Sequence, residues 1–168
     1  MKTQKQAQRV ALCGMLLALM LVLGFVESQI PVAAGIPGIK LGLSNGVLIF
    51  AVYMLGVPTS FLLMGLKVLL SGMLFSGTTG MIYAAAGGVL SLTVMCLLSR
   101  VKGVHMVVVS MIGGLMHNVG QVGLAMVMLS TPKLLYYMAI LMVVGLGCGA
   151  LTGICADSVM KHLKKMRK

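Results

Sequence analysis

The stretch VALCGMLLALMLVLGFV, residues 10–26, has neither a charged nor an amide side chain. Its length lies within the range of about 17 to 25 apolar residues that a membrane-spanning helix needs. No small-x-small cleavage site stands clear of this run, so we interpret it as a retained span and not as a signal peptide. The stretch therefore predicts that the chain begins with a transmembrane helix.

The rest of the chain has the same character. Of its 168 residues, 60% are hydrophobic and only 9% are charged, and the mean hydropathy is +1.10. A soluble domain of this size would need a charged surface. The 22 glycines are expected where membrane helices pack closely. The composition predicts an integral membrane protein with a single domain, residues 1–168.

Six apolar runs are separated by breaks rich in proline, glycine, serine and charge, such as ESQIPVAAGIPG (27–38) and SGTTG (76–80). We therefore predict an all-α integral membrane fold of six transmembrane helices. The second of them is short and contains glycine. The predicted spans are 10–26, 41–56, 59–75, 81–99, 104–129 and 134–159.

The basic residues predict the orientation in the membrane. The net charge is +11, and most lysines and arginines fall before the first span, in the fourth connection (Arg100 and Lys102) or in the C-terminal tail. With six spans these three segments share one side, so the positive-inside rule predicts that both termini are cytoplasmic. This placement is typical of contact with anionic headgroups, and we expect no binding of nucleic acid.

Polar side chains in such a chain are candidates for a binding site. His117 and Gln121 are four residues apart and share one face of the fifth helix, with Asn118 beside them and glycines around. An ammonium at the bilayer centre costs about 2.5 to 3.5 kcal/mol, so we expect Lys67 to face away from lipid. We predict an outward-facing solute pocket at one depth. It is lined or closed by Glu27, Lys40, Asn45, Lys67, Tyr83, His117, Asn118 and Gln121.

We expect Lys67 to pair with an anionic group of the ligand. His117, Asn118 and Gln121 are expected to hydrogen-bond the edge of a ligand ring, and Tyr83 to stack on that ring. Structural alternatives stay open. The amides and the imidazole also serve as interhelical contacts, at about 0.6 kcal/mol per bond. Lys67 also fits a structural ion pair with Glu27, and Lys40 fits a solvated loop charge. Glu27 itself is a loop charge or a cap for the following segment.

The sequence argues against catalysis by this chain alone. It has two acidic residues, Glu27 and Asp157, which the predicted topology places at opposite faces of the membrane. Paired carboxylates for acid–base work and carboxylate clusters for magnesium are therefore excluded within one chain. No G-x-x-x-x-G-K-[ST] phosphate loop and no zinc-type cysteine spacing occurs. We expect no enzyme activity, no metal and no intrinsic cofactor.

Small residues recur every four positions, which lets helices approach closely. Gly145, Gly149 and Gly153 form one such row. Most of these rows are expected to pack inside the bundle, and one of them is a candidate docking surface for a partner protein. The candidates on the first helix are Ala7, Ala11, Gly14 and Ala18.

Three segments carry a family resemblance: RVALCGMLLALMLVLGFVE (9–27), IPGIKLGLSNG (36–46) and GGLMHNVGQ (113–121). They resemble the Gx transporter family, also labelled heptaprenyl diphosphate synthase component I, which is similar to the substrate-binding S components of energy-coupling factor (ECF) transporters. The resemblance covers nearly the full chain. One departure is Lys67, where an arginine is more usual; the positive charge is kept, but a lysine lacks the planar fork that binds an anion through two parallel hydrogen bonds.

The resemblance implies a receptor in the cytoplasmic membrane for a vitamin-like small molecule, with a flavin or a quinone- or isoprenoid-related precursor as candidates. It implies a transmembrane coupling subunit that grips Ala7 and Ala11 or Gly14 and Ala18, and two cytosolic ATPase subunits. The loop 28–40 would close over the ligand, and the bundle would topple to release it. Two alternatives are a non-catalytic membrane subunit of a prenyl diphosphate synthase and a stand-alone proton-coupled carrier using Glu27 and His117.

Overall fold

The computed structural model describes residues 2–29 and 40–166, and within these ranges the chain is helical with no β-strand. A π-helical turn, Gly72–Ser76, joins the third and fourth helices. The predicted all-α fold is confirmed for the described residues. The helices are α1 (Lys2–Ser28), α2 (Leu43–Met54), α3 (Val57–Ser71), α4 (Gly77–Leu98), α5 (Met106–Leu129) and α6 (Leu134–Met166).

Four helical stretches are long and apolar enough to cross a membrane: Gln6–Ser28, Val57–Leu98, Met106–Leu129 and Leu134–Met166. The chain is therefore a multi-pass membrane protein. Helix α2 has 12 residues. At about 1.5 Å per residue it is shorter than a hydrocarbon core of about 30 Å. Six complete spans and cytoplasmic termini stay predictions.

The stretch Val57–Leu98 folds back on itself. A Cβ atom on Gly72 would lie 2.8 Å from Cβ of Met81, and one on Gly88 would lie 3.1 Å from Sδ of Met64. Residues 24 positions apart would be about 36 Å apart along a straight helix, so α3 and α4 are antiparallel. The reversal occurs at Gly77, whose φ of 66° suits glycine.

Three helices extend past the predicted membrane spans. The fourth helix begins at Gly77, before the predicted span of 81–99, because one glycine makes the reversal and the following residues are already helical. Helix α1 begins at Lys2, and α6 continues to Met166. Lysine, glutamine and arginine are good helix formers, so a helix continues past the apolar residues that span the membrane.

Glycine rows bring α6 against α5. A Cβ atom on Gly149 would lie 2.5 Å from the carbonyl oxygen of Ser110, and one on Gly153 would lie 3.0 Å from Cα of Val107. These distances leave no space for a side chain, so the internal packing predicted for the row that starts at Gly145 is confirmed.

Helices α1 and α2 are antiparallel. The Arg9 guanidinium donates to the carbonyl of Leu55 over 3.2 Å near one end of the pair. At the other end, Glu27 contacts the first turn of α2. This arrangement places the end of α1, the start of α2 and the π-helical turn at the same end of the bundle, where the candidate site lies.

Candidate functional site

Six of the predicted site residues come together in one buried group, which we call the polar cluster. They belong to four helices or lie beside their ends, and none is more than 6% exposed. Hydrogen bonds join Lys67 to Asn45 and Lys40 to Gln121, and Gln121 contacts His117. Gly42 lies between His117 and Asn45, because a Cβ atom there would be 2.9 Å from His117 Cδ2 and 3.6 Å from Asn45 Nδ2. The polar cluster consists of Glu27, Lys40, Asn45, Lys67, His117 and Gln121.

Glu27 is held by the beginning of α2. Its carboxylate accepts a hydrogen bond from the backbone N–H of Leu43, and Ser44 Oγ donates to Glu27 Oε2 over 3.4 Å. The first N–H groups of a helix have no partner within the helix and attract negative charge. Glu27 therefore caps α2, as one of its predicted roles required, and it fixes α2 relative to α1.

Lys67 comes from the middle of α3 and is 3% exposed. Its ammonium donates to Asn45 Oδ1 over 3.1 Å. Within the described part of the chain the only ion pairs closer than 4.0 Å are those of Asp157 with Lys161 and His105. The alternative in which Lys67 forms a structural ion pair with Glu27 is therefore wrong, and the ammonium depends on a neutral amide.

Lys40 closes the polar cluster at the end of α3. Its backbone N–H donates to Gln121 Oε1 over 3.0 Å, and its ammonium donates to Ser76 Oγ. The ammonium also lies 4.6 Å from the ring centroid of Phe75. Burial lowers the pKa of Lys40 from its usual range, and the charge of Glu27 partly opposes that shift. The alternative of a solvated loop charge is wrong, since Lys40 is 6% exposed.

Ser76 and Phe75 were not predicted as site residues. Both lie in the π-helical turn, a distortion that is common at functional sites. The SGTTG segment, which begins with Ser76, indicated only a break between helices. No pattern in the sequence indicates that a lysine more than thirty residues earlier would contact it.

His117 and Gln121 share one face of α5, as their spacing predicted. His117 Nε2 and Gln121 Nε2 lie 2.5 Å apart. Gly87 of α4 lies directly against them, because a Cβ atom there would be 2.7 Å from both Gln121 Cγ and His117 Nδ1. The glycine thus allows α4 to lie close behind the two polar side chains.

Asn118 and Tyr83 lie outside the hydrogen bonds of the polar cluster. Asn118 Nδ2 donates to the carbonyl of Leu141 over 2.5 Å, so Asn118 connects α5 to α6. Tyr83 packs in a separate apolar group with Val122 and Ala125. The alternative in which Asn118 forms an interhelical contact is therefore present in the structure. Ligand contacts by Asn118 and Tyr83 stay predictions.

The polar cluster is not balanced in charge or in hydrogen bonds. It contains two ammonium groups and one carboxylate. Asn45 Nδ2 is buried and has no hydrogen-bond partner, although the oxygen of the same amide is bonded to Lys67. Buried charges and donors without partners are costly. The arrangement is suited to accept an anionic or oxygen-rich group.

The residues of the polar cluster are buried, and the predicted outward-facing solute pocket stays a prediction. Asn45 borders a narrow gap, shared with Gly42, Gly113 and Thr152, which has no room for a water molecule. Most of the loop 28–40 that was expected to close the site lies outside the described residues.

Comparison with known protein families matches residues 16–159 to the family described as heptaprenyl diphosphate synthase component I. The chain belongs to this family. The component I match confirms the resemblance seen in the sequence and includes every residue of the polar cluster. No curated protein and no solved structure matches the chain.

Proposed function

We propose that this protein is a membrane receptor for a small solute with an anionic group, and that it works as the S component of an ECF-type transporter in the cytoplasmic membrane. The single observation that carries the proposal is the excess of positive charge in the buried polar cluster, next to the unpartnered Asn45 Nδ2. A purely structural cluster would be expected to satisfy its own groups.

A ligand oxygen placed between Lys67 and Asn45 would satisfy both. Lys67 Nζ already lies 3.1 Å from Asn45 Oδ1, so the ammonium and the free Asn45 N–H groups belong to one small region. His117 and Gln121 lie on the adjoining face of α5 and offer further polar atoms. Among the predicted vitamin-like candidates, a phosphorylated flavin or an acidic quinone- or isoprenoid-related precursor has this chemistry.

Binding requires the closed polar cluster to open. Lys40, shortly before α2, contacts both Gln121 and Ser76. If the chain around Lys40 moves outward, both contacts break together and Lys67 becomes accessible from the end of the bundle. Closure of loop 28–40 over the ligand would then restore them.

Energy for transport would come from partner subunits, because the chain has no phosphate loop of its own. The exposed row Ala7, Ala11, Gly14 and Ala18 is the proposed docking surface for the coupling subunit. A Cβ atom on Gly14 would meet nothing within 4 Å, whereas the glycine row of α6 is covered by α5. The α1 row is thus free to receive another helix.

A second candidate is a membrane accessory subunit of a prenyl diphosphate synthase. The name of the family favours this candidate, since it describes one component of such an enzyme. In that case a soluble prenyltransferase, and no ATPase, would bind the chain. The polar cluster would then need no ligand.

Purification from native membranes separates the two candidates. We expect the wild-type chain to carry a membrane coupling protein, two ATPases and a small molecule that is identified by mass spectrometry after extraction. Ala11→Leu, on the exposed row, should lose the protein partners but keep the small molecule. Met15→Leu, on the same helix and 69% exposed, is the control and should keep both.

A prenyltransferase that co-purifies without ATPases would instead support the accessory subunit. Equal recovery of ATPases with Ala11→Leu and Met15→Leu would contradict the proposed docking surface.

A further inference from the structure

An apolar groove of about 380 Å³ lies between α1, α2 and α6. Helix α1 contributes Leu16, Leu19 and Leu23, which lie on one helical face, and α2 contributes Phe50. Cys155 lines the α6 side. The volume lies within the range of about 300 to 1,000 Å³ typical of pockets for small molecules.

This groove meets the polar cluster at a thin wall. Gly46 and Thr152 line the apolar groove on one side and the narrow gap beside Asn45 on the other. A Cβ atom on Gly46 would overlap the Thr152 side chain, so α2 and α6 are as close here as a glycine permits. Asn45, whose Nδ2 has no partner, directly precedes Gly46 and is 2% exposed.

Gly46 and Thr152 thus separate the apolar groove from a buried region with an excess of positive charge. A fully polar solute would not cover the apolar side chains of the groove. An uncharged hydrocarbon would leave the charge of Lys67 without a counter-charge and Asn45 Nδ2 without a hydrogen-bond partner. A molecule that has both parts would satisfy both surfaces, since oxygen atoms would bind the cations and a chain would cover the leucines.

We propose that the polar cluster and the apolar groove form one binding site for a single-chain anionic amphiphile. The anionic head lies at Lys67 and Asn45 and the hydrocarbon chain lies along α1, with α2 and α6 separated at Gly46 and Thr152 when the molecule is bound. This inference rests on the proposed function, because it names the class of solute that the receptor takes.

Titration calorimetry of the chain in phosphatidylcholine nanodiscs tests the proposal, with butyl phosphate, octyl phosphate and uncharged octanol as probes and empty nanodiscs as the blank. Cys155→Phe places a ring in the groove. Ile154→Phe, on the same helix and 56% exposed, adds the same ring outside the groove. Lys67→Gln removes the charge that holds the head group.

We expect the wild type and Ile154→Phe to bind octyl phosphate about tenfold more tightly than butyl phosphate. Cys155→Phe should abolish that advantage and leave butyl phosphate binding unchanged, which also shows that the variant is folded. Lys67→Gln should weaken the binding of both phosphates by about tenfold.

The outcomes distinguish the proposed amphiphile site from the proposed anion receptor. If Lys67→Gln weakens the binding of both phosphates while Cys155→Phe binds them as Ile154→Phe does, the proposed amphiphile site is wrong and the proposed anion receptor stands. If Lys67→Gln has no effect, the proposed function is wrong as well. If octanol binds as tightly as octyl phosphate, the groove holds only a bilayer chain and the inference is overturned, as it is if neither phosphate binds the wild type.

Discussion

Replacing Gly87 by alanine tests whether α4 lies directly behind the polar cluster. The new methyl group would lie 2.6 Å from the carbonyl oxygen of His117 and 2.7 Å from Gln121 Cγ. At the adjacent Gly88, the new methyl group would lie 3.1 Å from Sδ of Met64, which is the far part of a flexible side chain. The two positions therefore form a matched pair on one helix.

The expected difference follows from two terms. Alanine stabilises a helix by about 1 kcal/mol relative to glycine, and this gain is common to both variants. Overpacking against atoms that cannot move costs about 1 to 3 kcal/mol, and it applies to Gly87 alone. We therefore expect Gly87→Ala to have a free energy of unfolding about 1 to 3 kcal/mol lower than Gly88→Ala.

Titration with SDS in mixed micelles, followed by circular dichroism, measures this difference, and extraction of the bound small molecule measures the effect on the polar cluster. Gly87→Ala should also retain less of that molecule, because the methyl group displaces His117 and Gln121. Equal unfolding free energies for the two variants, or a greater loss with Gly88→Ala, would show that α4 and α5 do not pack as described.

Two further pairs of variants test the packing of the helices. A methyl group on Gly149 would lie 2.5 Å from the backbone carbonyl of Ser110, and one on Gly147 would meet nothing within 4 Å. Gly149→Ala should therefore unfold about 1 to 3 kcal/mol more easily than Gly147→Ala in the same titration, and equal values would contradict the α5–α6 interface. Glu27→Ala removes the acceptor at the start of α2 and should cost about 1 to 3 kcal/mol. Asp157→Asn, whose partner Lys161 is 72% exposed, should unfold as the wild type does, and a larger effect for Asp157→Asn than for Glu27→Ala would refute the capping role.

The helices were largely predictable because apolar runs and their breaks are local properties of the sequence. The apolar stretch 10–26 directly predicts a membrane helix, and the row of glycines that begins at Gly145 directly predicts close packing between helices. The reversal at Gly77 was placed within a few residues, and its exact position depended on one backbone conformation. Local signals do not determine such a detail.

The candidate site was predictable in part. A buried lysine and an i, i+4 pair of polar residues signalled the region, and both are present. Consecutive residues on a helix point about 100° apart, so His117 and Asn118 face different neighbours, and only the packing of α4 and α6 decides which. The contact of Lys40 with Ser76 is likewise tertiary, and no spacing rule indicates it.

The most direct test of the account is native mass spectrometry of the chain purified from its own membranes, comparing the wild type with Lys67→Gln and with Lys133→Gln. Lys67 is 3% exposed in the polar cluster, whereas Lys133 is exposed and directly precedes α6. We predict one small-molecule mass on the wild type and on Lys133→Gln, and its loss from Lys67→Gln. A bound mass that is unchanged in Lys67→Gln, or a wild type that carries none, would contradict the claim that the polar cluster binds an anionic solute.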